Sequence, residues 1–332
     1  MRPAVLLTGV GKRYDIVTAF SQHAFTVALD PNALAPAQYA ADVALAPPRM
    51  EDPAYVPFIQ EAIARYGVIA VVPLTDLDIE ILASADLPAF VPSPEVARAT
   101  FDKFETHELL LRHGLPSPPT CLPHEEPGSY PVIVKPRRGS GARSIHPAAD
   151  ADQKDFFVRY VDEPVMVQRM MNGPEFSIDI LCDLDGRCLN AIPRTMIESR
   201  GGETVKGTVI ADPELIELGR AVAEALPLRG PSTVQAFRDP EIGLGITDVN
   251  ARFGGSFPAP MYAARPGRTY PELIVRMAGG ERIEPHVGDF NAGMTFTRWF
   301  WQIELDEALR PTGRDIVPSG PRAPRVPGTK RT

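Results

Sequence analysis

From the N-terminus to about residue 93, short apolar runs at 4–8, 25–29 and 68–72 alternate with stretches of helical period that begin near Asp15 and after Asp52 and Pro53. That alternation predicts a small parallel sheet of Rossmann type with helical crossovers. Asp52, Ser93 and Asp212 each precede a proline, an N-cap side chain followed by a residue whose missing N–H costs nothing at the first helical position. Asp102 with Glu105 has the spacing of a capping box, and Gly114 followed by Pro116 supplies a stop. A helix over about 103–113 follows.

From Pro131 the apolar period shortens to that of strands, at 132–135, 165–169 and 175–182, with a helix near 150–160. Asp185 with Gly186 is a hairpin signal leading to a strand at 187–192, and a second hairpin joins 233–237 to 244–250 through Asp239, Pro240 and Glu241. This half predicts an α+β arrangement with antiparallel sheets. No internal repeat is visible. Residues 311–332 hold five prolines and five basic residues and are expected to form a flexible tail.

Length and composition narrow the picture. With 332 residues and 44% hydrophobic content the chain can bury large cores in more than one domain. Its 34 basic and 42 acidic residues leave a formal charge of -8, so no global basic field favours nucleic acid or an anionic membrane. Cys121, Cys182 and Cys188 lack CxxC spacing, and neither structural zinc nor a disulfide framework is expected, which suits a reducing cytoplasm. No window approaches the unbroken apolar length of a membrane span or a signal sequence. A soluble cytoplasmic protein is the expectation.

The chemistry concentrates in a few words. In Thr247-Asp248-Val249-Asn250-Ala251-Arg252-Phe253-Gly254-Gly255, a carboxylate, an amide and a guanidinium fall at i, i+2 and i+4. At a strand end the pleat aims all three to one side, where Asp248 and Asn250 can hold a hard cation and Arg252 can face an anion. A polar strand end entering a glycine turn is the competing account. Lys135 ends an apolar strand and precedes Gly139, Ser140 and Gly141, so a fixed charge adjoins backbone N–H groups suited to phosphate; a basic surface turn competes. Walker spacing is absent. Gln168, Met170 and Glu175 flank a linker that can present an amide and backbone groups to an adenine edge and a carboxylate to ribose hydroxyls, or form an ordinary hairpin. Arg194, Arg200 and Lys206 can clamp a phosphate and a substrate carboxylate, or lie on a solvated loop. The turn Gly9-Val10-Gly11 enters a helix as a dinucleotide fingerprint would, but Tyr14 takes the third glycine position, so NAD is poorly supported. A turn closing a substrate cleft and a purely structural turn are the balanced alternatives. No histidine belongs to an HExxH or serine-elbow pattern.

Taken in order, these words resemble the ATP-grasp superfamily, in the branch of carbamoyl-phosphate synthase large chains and the pyrrolysine-biosynthesis ligase. The resemblance runs over about 4–280 through VLLTGVGKRYDIV, VVPLTDLDIEILA, FDKFETHELLLRHGLPSPPT, YPVIVKPRRGSGARSI, VMVQRMMNGPEFSIDIL, IPRTMIESRGGETVKG, STVQAF and DVNARFGGS. It implies a Rossmann-like domain at 1–95 and an ATP-grasp domain of two α+β lobes at 96–310, the small lobe at about 115–170 and the large one at about 171–310, with the tail beyond. It implies Lys103 and Lys135 on the ATP phosphates under a loop of Gly139, Ser140 and Gly141, with Gln168 on the adenine amino group, Met170 on the adenine edge by its backbone, and Glu175 on the ribose. Gln235, Asp248 and Asn250 would ligate two magnesium ions, with manganese as a substitute. Arg252, Arg200 and Lys206 would act on the transferred phosphoryl group, and Arg194, Gly254 and Gly255 on the substrate. Departures from the family pattern are Asp248 where glutamate is usual, Arg169 in place of an acid, and Ala142 and Ser144 in the loop. The implied activity is ATP-dependent ligation of a carboxylate to an amine through an acyl phosphate, on small molecules such as an amino acid or peptide, and a homodimer is allowed. A nucleotide-binding regulatory module and, further off, an NAD(P)-dependent oxidoreductase are the alternatives.

Overall fold

An unbroken run of Ala, Val and Leu makes β1 (Ala4–Thr8), and every one of its residues is buried, as expected of a parallel strand covered on both faces. The computed structural model describes residues 2–139, 141, 143–255, 259–299 and 302–313. Ser140, Ala142 and most of the proline-rich tail therefore lie outside the described residues. With β2 (Phe25–Leu29), β3 (Val43–Leu45) and β4 (Val68–Pro73), β1 forms a parallel sheet of order β3-β2-β1-β4. Alternation splits β1 between two cores: Val5 and Leu7 enter the cluster that holds Phe20 and Phe253, Ala4 and Leu6 the one that holds Tyr55 and Ile59. The connections run through α1 (Tyr14–Ser21), α2 (Tyr55–Tyr66) and α3 (Ile79–Ser84). Strand order reverses between β1 and β4, which opens a crevice at their carboxyl ends.

Two of the three cap signals act as expected. Ser93 Oγ accepts from Val96 N–H at the start of α4 (Pro94–Phe101), and Asp212 Oδ1 accepts from the N–H groups of Glu214 and Leu215. The third is corrected: α2 begins at Tyr55, and Asp52 instead closes a turn on Ala54 N–H at 2.8 Å, outside the helix. In α5 (Lys103–Arg112) the cap is Asp102, which accepts from Phe104 and Glu105 N–H.

Tyr55 Oη donates at 2.7 Å to Asp78 Oδ2 behind the sheet, and burial pushes the Asp78 carboxyl up to about 6. Because its folded value lies above the unfolded one, its contribution is fully present below about pH 4 and is lost as pH rises through about 6. Asp78→Asn keeps an acceptor for Tyr55 without the charge. It should flatten the stability profile between pH 4 and 6 and raise stability at pH 7 by on the order of 2 kcal/mol, as read by denaturant unfolding. A variant less stable than wild type at pH 7 would show that the carboxylate itself is needed.

The next sheet contains β5 (Thr120–Cys121), β6 (Val132–Pro136), β7 (His146–Ala148) and β8 (Val165–Arg169) in the antiparallel order β5-β8-β6-β7, with α6 (Ala151–Tyr160) packed against it. Val132, Val134, Val165 and Val167 point into its core. The pleat therefore sends Lys135 and Gln168 to the opposite face. A third sheet, order β10-β9-β13-β14, is built from β9 (Glu175–Cys182), β10 (Cys188–Thr195), β13 (Gly230–Asp239) and β14 (Gly243–Asn250), with α7 (Pro213–Ala225) across it. Both hairpins expected in this half are present. The segment after β10, for which a solvated loop competed, is a hairpin of β11 (Glu198–Arg200) and β12 (Glu203–Thr208), extended by β15 (Thr295–Thr297). Helices α8 (Ala259–Tyr262) and α9 (Tyr270–Ala278) complete the first compact unit, Met1–Thr297. In the second unit, Arg298–Thr332, Asp306 closes a turn by accepting from the N–H groups of Ala308 and Arg310. Among the described residues no helix is long and apolar enough to cross a membrane.

Candidate functional site

Lys135 leaves β6 on the face away from the valine core, and its ammonium donates to Gln168 Oε1 at 2.9 Å and to the carbonyl of Thr247 on β14 at 3.3 Å. One lysine thus bridges the second and third sheets. Burial is the main reason its pKa falls to about 8; Lys103 lowers it further, while Asp248 and Glu175 act in the other direction. Lys103, the first residue of α5, donates to Gly139 O at 2.7 Å and lies 3.9 Å from Asp248 Oδ1. Its helix start is tied to the loop by Lys103 N–H on Arg137 O, and by Arg137 Nε on both oxygens of Asp102 at 3.0 and 3.1 Å. Two lysines from different elements therefore converge on the acid of β14, a geometry suited to polyphosphate.

β14 ends at Asn250 and Arg252 lies in the bend just beyond it, yet the three side chains meet. Asn250 Nδ2 donates to Asp248 Oδ2 at 3.1 Å, and Arg252 Nη2 donates to Asn250 Oδ1 at 2.9 Å and to Asp76 Oδ2 at 2.8 Å. Gln235 is directly across the ladder from Asp248. The Asp248 carboxylate suits a magnesium ion, which keeps several waters and binds through one or two carboxylates together with substrate phosphates, and Asn250 would join it by turning its oxygen from Arg252 toward the cation. Among the described residues no group of three or more His, Cys, Asp or Glu side chains is placed to hold a metal by itself. A cavity of about 30 Å³ lies between Asp76, Thr100, Lys103, Gly139, Asp248 and Asn250. That volume admits an ion or a water and not a triphosphate, so nucleotide entry must replace the Lys103 to Gly139 bond. A wider groove of about 670 Å³ adjoins it at Asp76, Leu77 and Phe101, but no lysine or arginine lines it, which keeps the phosphates on the lysine side.

Several of the expected site residues have partners within the chain. Gln168 was expected on the adenine amino group, yet its oxygen accepts from Lys135 and its nitrogen donates to Thr120 Oγ1 at 2.9 Å; it is 4% exposed, and it positions the lysine. The N–H of Met170 is taken by Pro131 O at 3.1 Å, which removes that half of its backbone contact to adenine. Arg194 is 2% exposed and donates to Asp179 Oδ2 at 2.7 Å and Thr204 Oγ1 at 2.5 Å. It lies beneath Gly254, where an added Cβ would come within 3.1 Å of Arg194 Nη2 and 2.9 Å of Asp179 Oδ1, so Arg194 supports that turn. Gly255 closes on Glu203 in the same way. Arg200 and Lys206 do not join the Arg252 cluster: both are largely exposed and pair with Glu198, at 3.4 and 2.6 Å. Gly141 approaches the tip of that hairpin, within 3.5 Å of Gly201 O for an added Cβ. Glu175 feels Arg194, Asp248 and Lys135, and burial holds its carboxyl above the usual range. Ser140 lies outside the described residues.

Two residues that sequence reasoning did not assign complete the cluster. Asp76 follows β4 and pairs with Arg252; Arg13 follows β1, and its guanidinium feels Arg252, Glu203 and Asp76. Both lie at carboxyl ends of parallel strands on either side of the order reversal, a positional signal that the sequence already contained.

Lys135→Met should weaken ATP binding by about 1.5–3 kcal/mol, the value of a charge-assisted contact. It should not unfold the protein, since the folded state depresses the pKa of this lysine and therefore penalises its charge below about pH 8. An unchanged nucleotide titration would remove Lys135 from the phosphate site.

Residues 100–256 match the model of the ATP-grasp domain, and residues 5–89 match that of the PylC-like N-terminal domain. The chain is 26% identical over 193 residues to a 3-methyl-D-ornithine–L-lysine ligase of Methanosarcina mazei, covering 56% of this chain and 47% of the ligase. It is 25% identical over 244 residues to the carbamoyl phosphate synthase large chain of Agathobacter rectalis, covering 67% of this chain and 22% of that one. The chain thus spans less than half the length of either relative. Among solved structures, the biotin carboxylase domain of Hydrogenobacter thermophilus 2-oxoglutarate carboxylase, crystallised as a dimer with MgADP and bicarbonate, superposes with a TM-score of 0.69 at 18% identity, over 88% of this chain and 73% of that one. The fold is therefore that of the ATP-grasp enzymes, with a parallel-sheet N-terminal domain and antiparallel sheets in the lobes.

Proposed function

We propose that this chain, an ATP-grasp domain preceded by a PylC-like domain, is a ligase that joins a carboxylate to an amine with hydrolysis of ATP to ADP and phosphate. The observation that supports the reading is the convergence of Lys103 and Lys135 on the end of β14 at Asp248 and Thr247, with Asn250 and, just beyond the strand, Arg252 linked to Asp248 by side-chain hydrogen bonds. Phosphoryl transfer asks a protein chiefly for positioning and charge neutralisation, and the site supplies both. A carboxylate oxygen attacks the γ-phosphorus, the bond to the β-phosphate oxygen breaks, and ADP leaves. The amine nitrogen then attacks the acyl carbon, phosphate departs with the former carboxylate oxygen, and the amine loses its proton. Lys103 and Lys135 hold the phosphate chain, and Arg252 faces the charge that develops between γ-phosphate and carboxylate. Asp248, with Asn250 and Gln235, would hold magnesium, which neutralises phosphate charge when bound. Two ions, with manganese as a substitute, are the proposed count. The Asn250 amide, which links Asp248 to Arg252, couples the cation site to the phosphoryl site.

The reading divides the chain at 1–95, 96–310 and 311–332 and includes small-molecule substrates, a cytoplasmic location and a homodimer. The relative from Methanosarcina joins two amino acids by its name, and an amino acid or small peptide is the substrate class it suggests here. The test is ADP release across pools of amino acids and short peptides. Release that needs magnesium and a carboxylate together supports the ligase; ATP binding without turnover in any pool points to a regulatory nucleotide module.

A further inference from the structure

Strand β14 carries one residue more than the strand it pairs with. On β13 the side chains that enter the core, Val234 and Ala236, are two residues apart, as a pleat requires. On β14 the residues that enter the same core are Ile246 and Val249, three apart. The ladder shows where the extra residue lies: Gln235 is opposite Asp248 and Ala236 is opposite Ile246, so Thr247 has no partner across the strand pair. This is a β-bulge, and it keeps Asp248 out of the core. With an unbroken period of two counted from Ile246, that carboxylate would enter it. A bulge leaves its extra residue outside the ladder, which opens the backbone there to other partners. The Thr247 carbonyl accepts from the Lys135 ammonium at 3.3 Å, and the Thr247 hydroxyl donates to Gln235 O at 3.4 Å. Lys135 has three N–H donors; Thr247 O and Gln168 Oε1 take two of them, which fixes the direction of the third.

The bulge is also held from the side of α5. Ile246 N–H donates to Pro116 O at 3.0 Å, and Ser117 Oγ donates to Ile246 O at 3.4 Å. With its own proton so used, Ser117 Oγ accepts from Nδ1 of His107 at 2.8 Å. His107 lies one turn after Lys103 on α5. The helix that brings Lys103 to within 3.9 Å of Asp248 is therefore fastened to β14 at the residue before the bulge.

We propose that Thr247 is a positioning residue for phosphoryl transfer: as the extra residue of the bulge it supplies the carbonyl that aims Lys135 at the phosphates, and Ser117 with His107 pins the bulge at that step, so that Asp248 stays opposite Gln235 and beside Lys103. The proposal rests on the ligase reading and deepens it by naming what holds the two lysines and the acid in one register. Thr247, Ser117 and His107 act through these neighbours and touch no ligand themselves.

The test is removal of Thr247 from the full chain. The deletion lets Ile246, Asp248 and Asn250 keep Ala236, Gln235 and Thr233 as partners in a regular ladder, and it takes away the carbonyl that Lys135 uses. Wild type, the deletion, Ser117→Ala and Ser117→Thr are compared by MgADP calorimetry and melting curves. Carbon-13 at lysine Cε reports on Lys135, its signal assigned by its loss in Lys135→Met. In the folded deletion variant the Lys135 signal is expected to shift and MgADP to bind roughly tenfold more weakly or worse, as for loss of a charge-assisted contact. Ser117→Ala is expected to lose affinity in the same direction, and Ser117→Thr, which keeps the hydroxyl, to recover it. Wild-type affinity or an unmoved Lys135 signal in a folded deletion variant overturns the proposal. If the deletion does not fold, the serine variants decide, and wild-type affinity in Ser117→Ala overturns it. Absence of MgADP binding by wild type strikes the ligase reading instead. A Lys135 signal that still shifted on deletion in that case would leave Thr247 as the residue that positions the lysine.

Discussion

Arg252→Ala is expected to slow turnover by roughly 10²-fold or more, the range seen when a preorganised charge stabiliser is removed, with ATP affinity changed far less. The physical reason is position: Arg252 is buried, bonded to Asn250 and Asp76, and has an N–H without a protein partner. Part of the loss will be structural, because removing Arg252 strands the carboxylate of Asp76. Asp76→Asn separates the two effects. It breaks the same ion pair and leaves the guanidinium, so a structural role predicts equal losses in both variants, and a role on phosphoryl charge predicts a much larger loss for Arg252→Ala. Steady-state kinetics with melting curves for both proteins decide this.

Asp248→Asn should abolish magnesium-dependent turnover, and Asn250→Ala should do the same while leaving adenosine affinity largely intact. Asp248 is the carboxylate on the shared strand face and the group that Lys103 and Lys135 both feel. Its neutral amide cannot offset a divalent cation. Asn250 is the bridge between that carboxylate and Arg252. The check is a magnesium titration of ADP release alongside an adenosine binding isotherm. Normal rates across the titration in both variants would dismantle the proposed cation site.

Elements whose residues carry a local reason are legible in the amino-acid sequence alone. β8 and β9 are set by apolar runs and fall at the expected bounds, and Ser93 and Asp212 cap the helices that their prolines announce. Asp52 fails as a helix cap because the same Asp-Pro pair also suits a turn, and only tertiary packing chooses between them. The line of Asp248, Asn250 and Arg252 is readable because a pleat has period two. Arg194, Arg200 and Lys206 are not separable by sequence, since a basic residue announces its charge but not its neighbour. Asp179 buries the first and Glu198 holds the other two at the surface. The partner of Gln168 is hidden for a similar reason: its amide accepts from Lys135, a residue 33 positions away across the sheet. Asp76 and Arg13 escape sequence reasoning because they become neighbours only when the parallel sheet reverses its strand order between β1 and β4.

The acyl-phosphate route is tested most directly by the fate of the carboxylate oxygen. Once a productive carboxylate and amine pair is found by ADP release, the carboxylate is labelled with oxygen-18 and the products are analysed by mass spectrometry. Transfer of phosphoryl to the carboxylate predicts ADP with label in the released phosphate. AMP with pyrophosphate, or phosphate free of label, would contradict it.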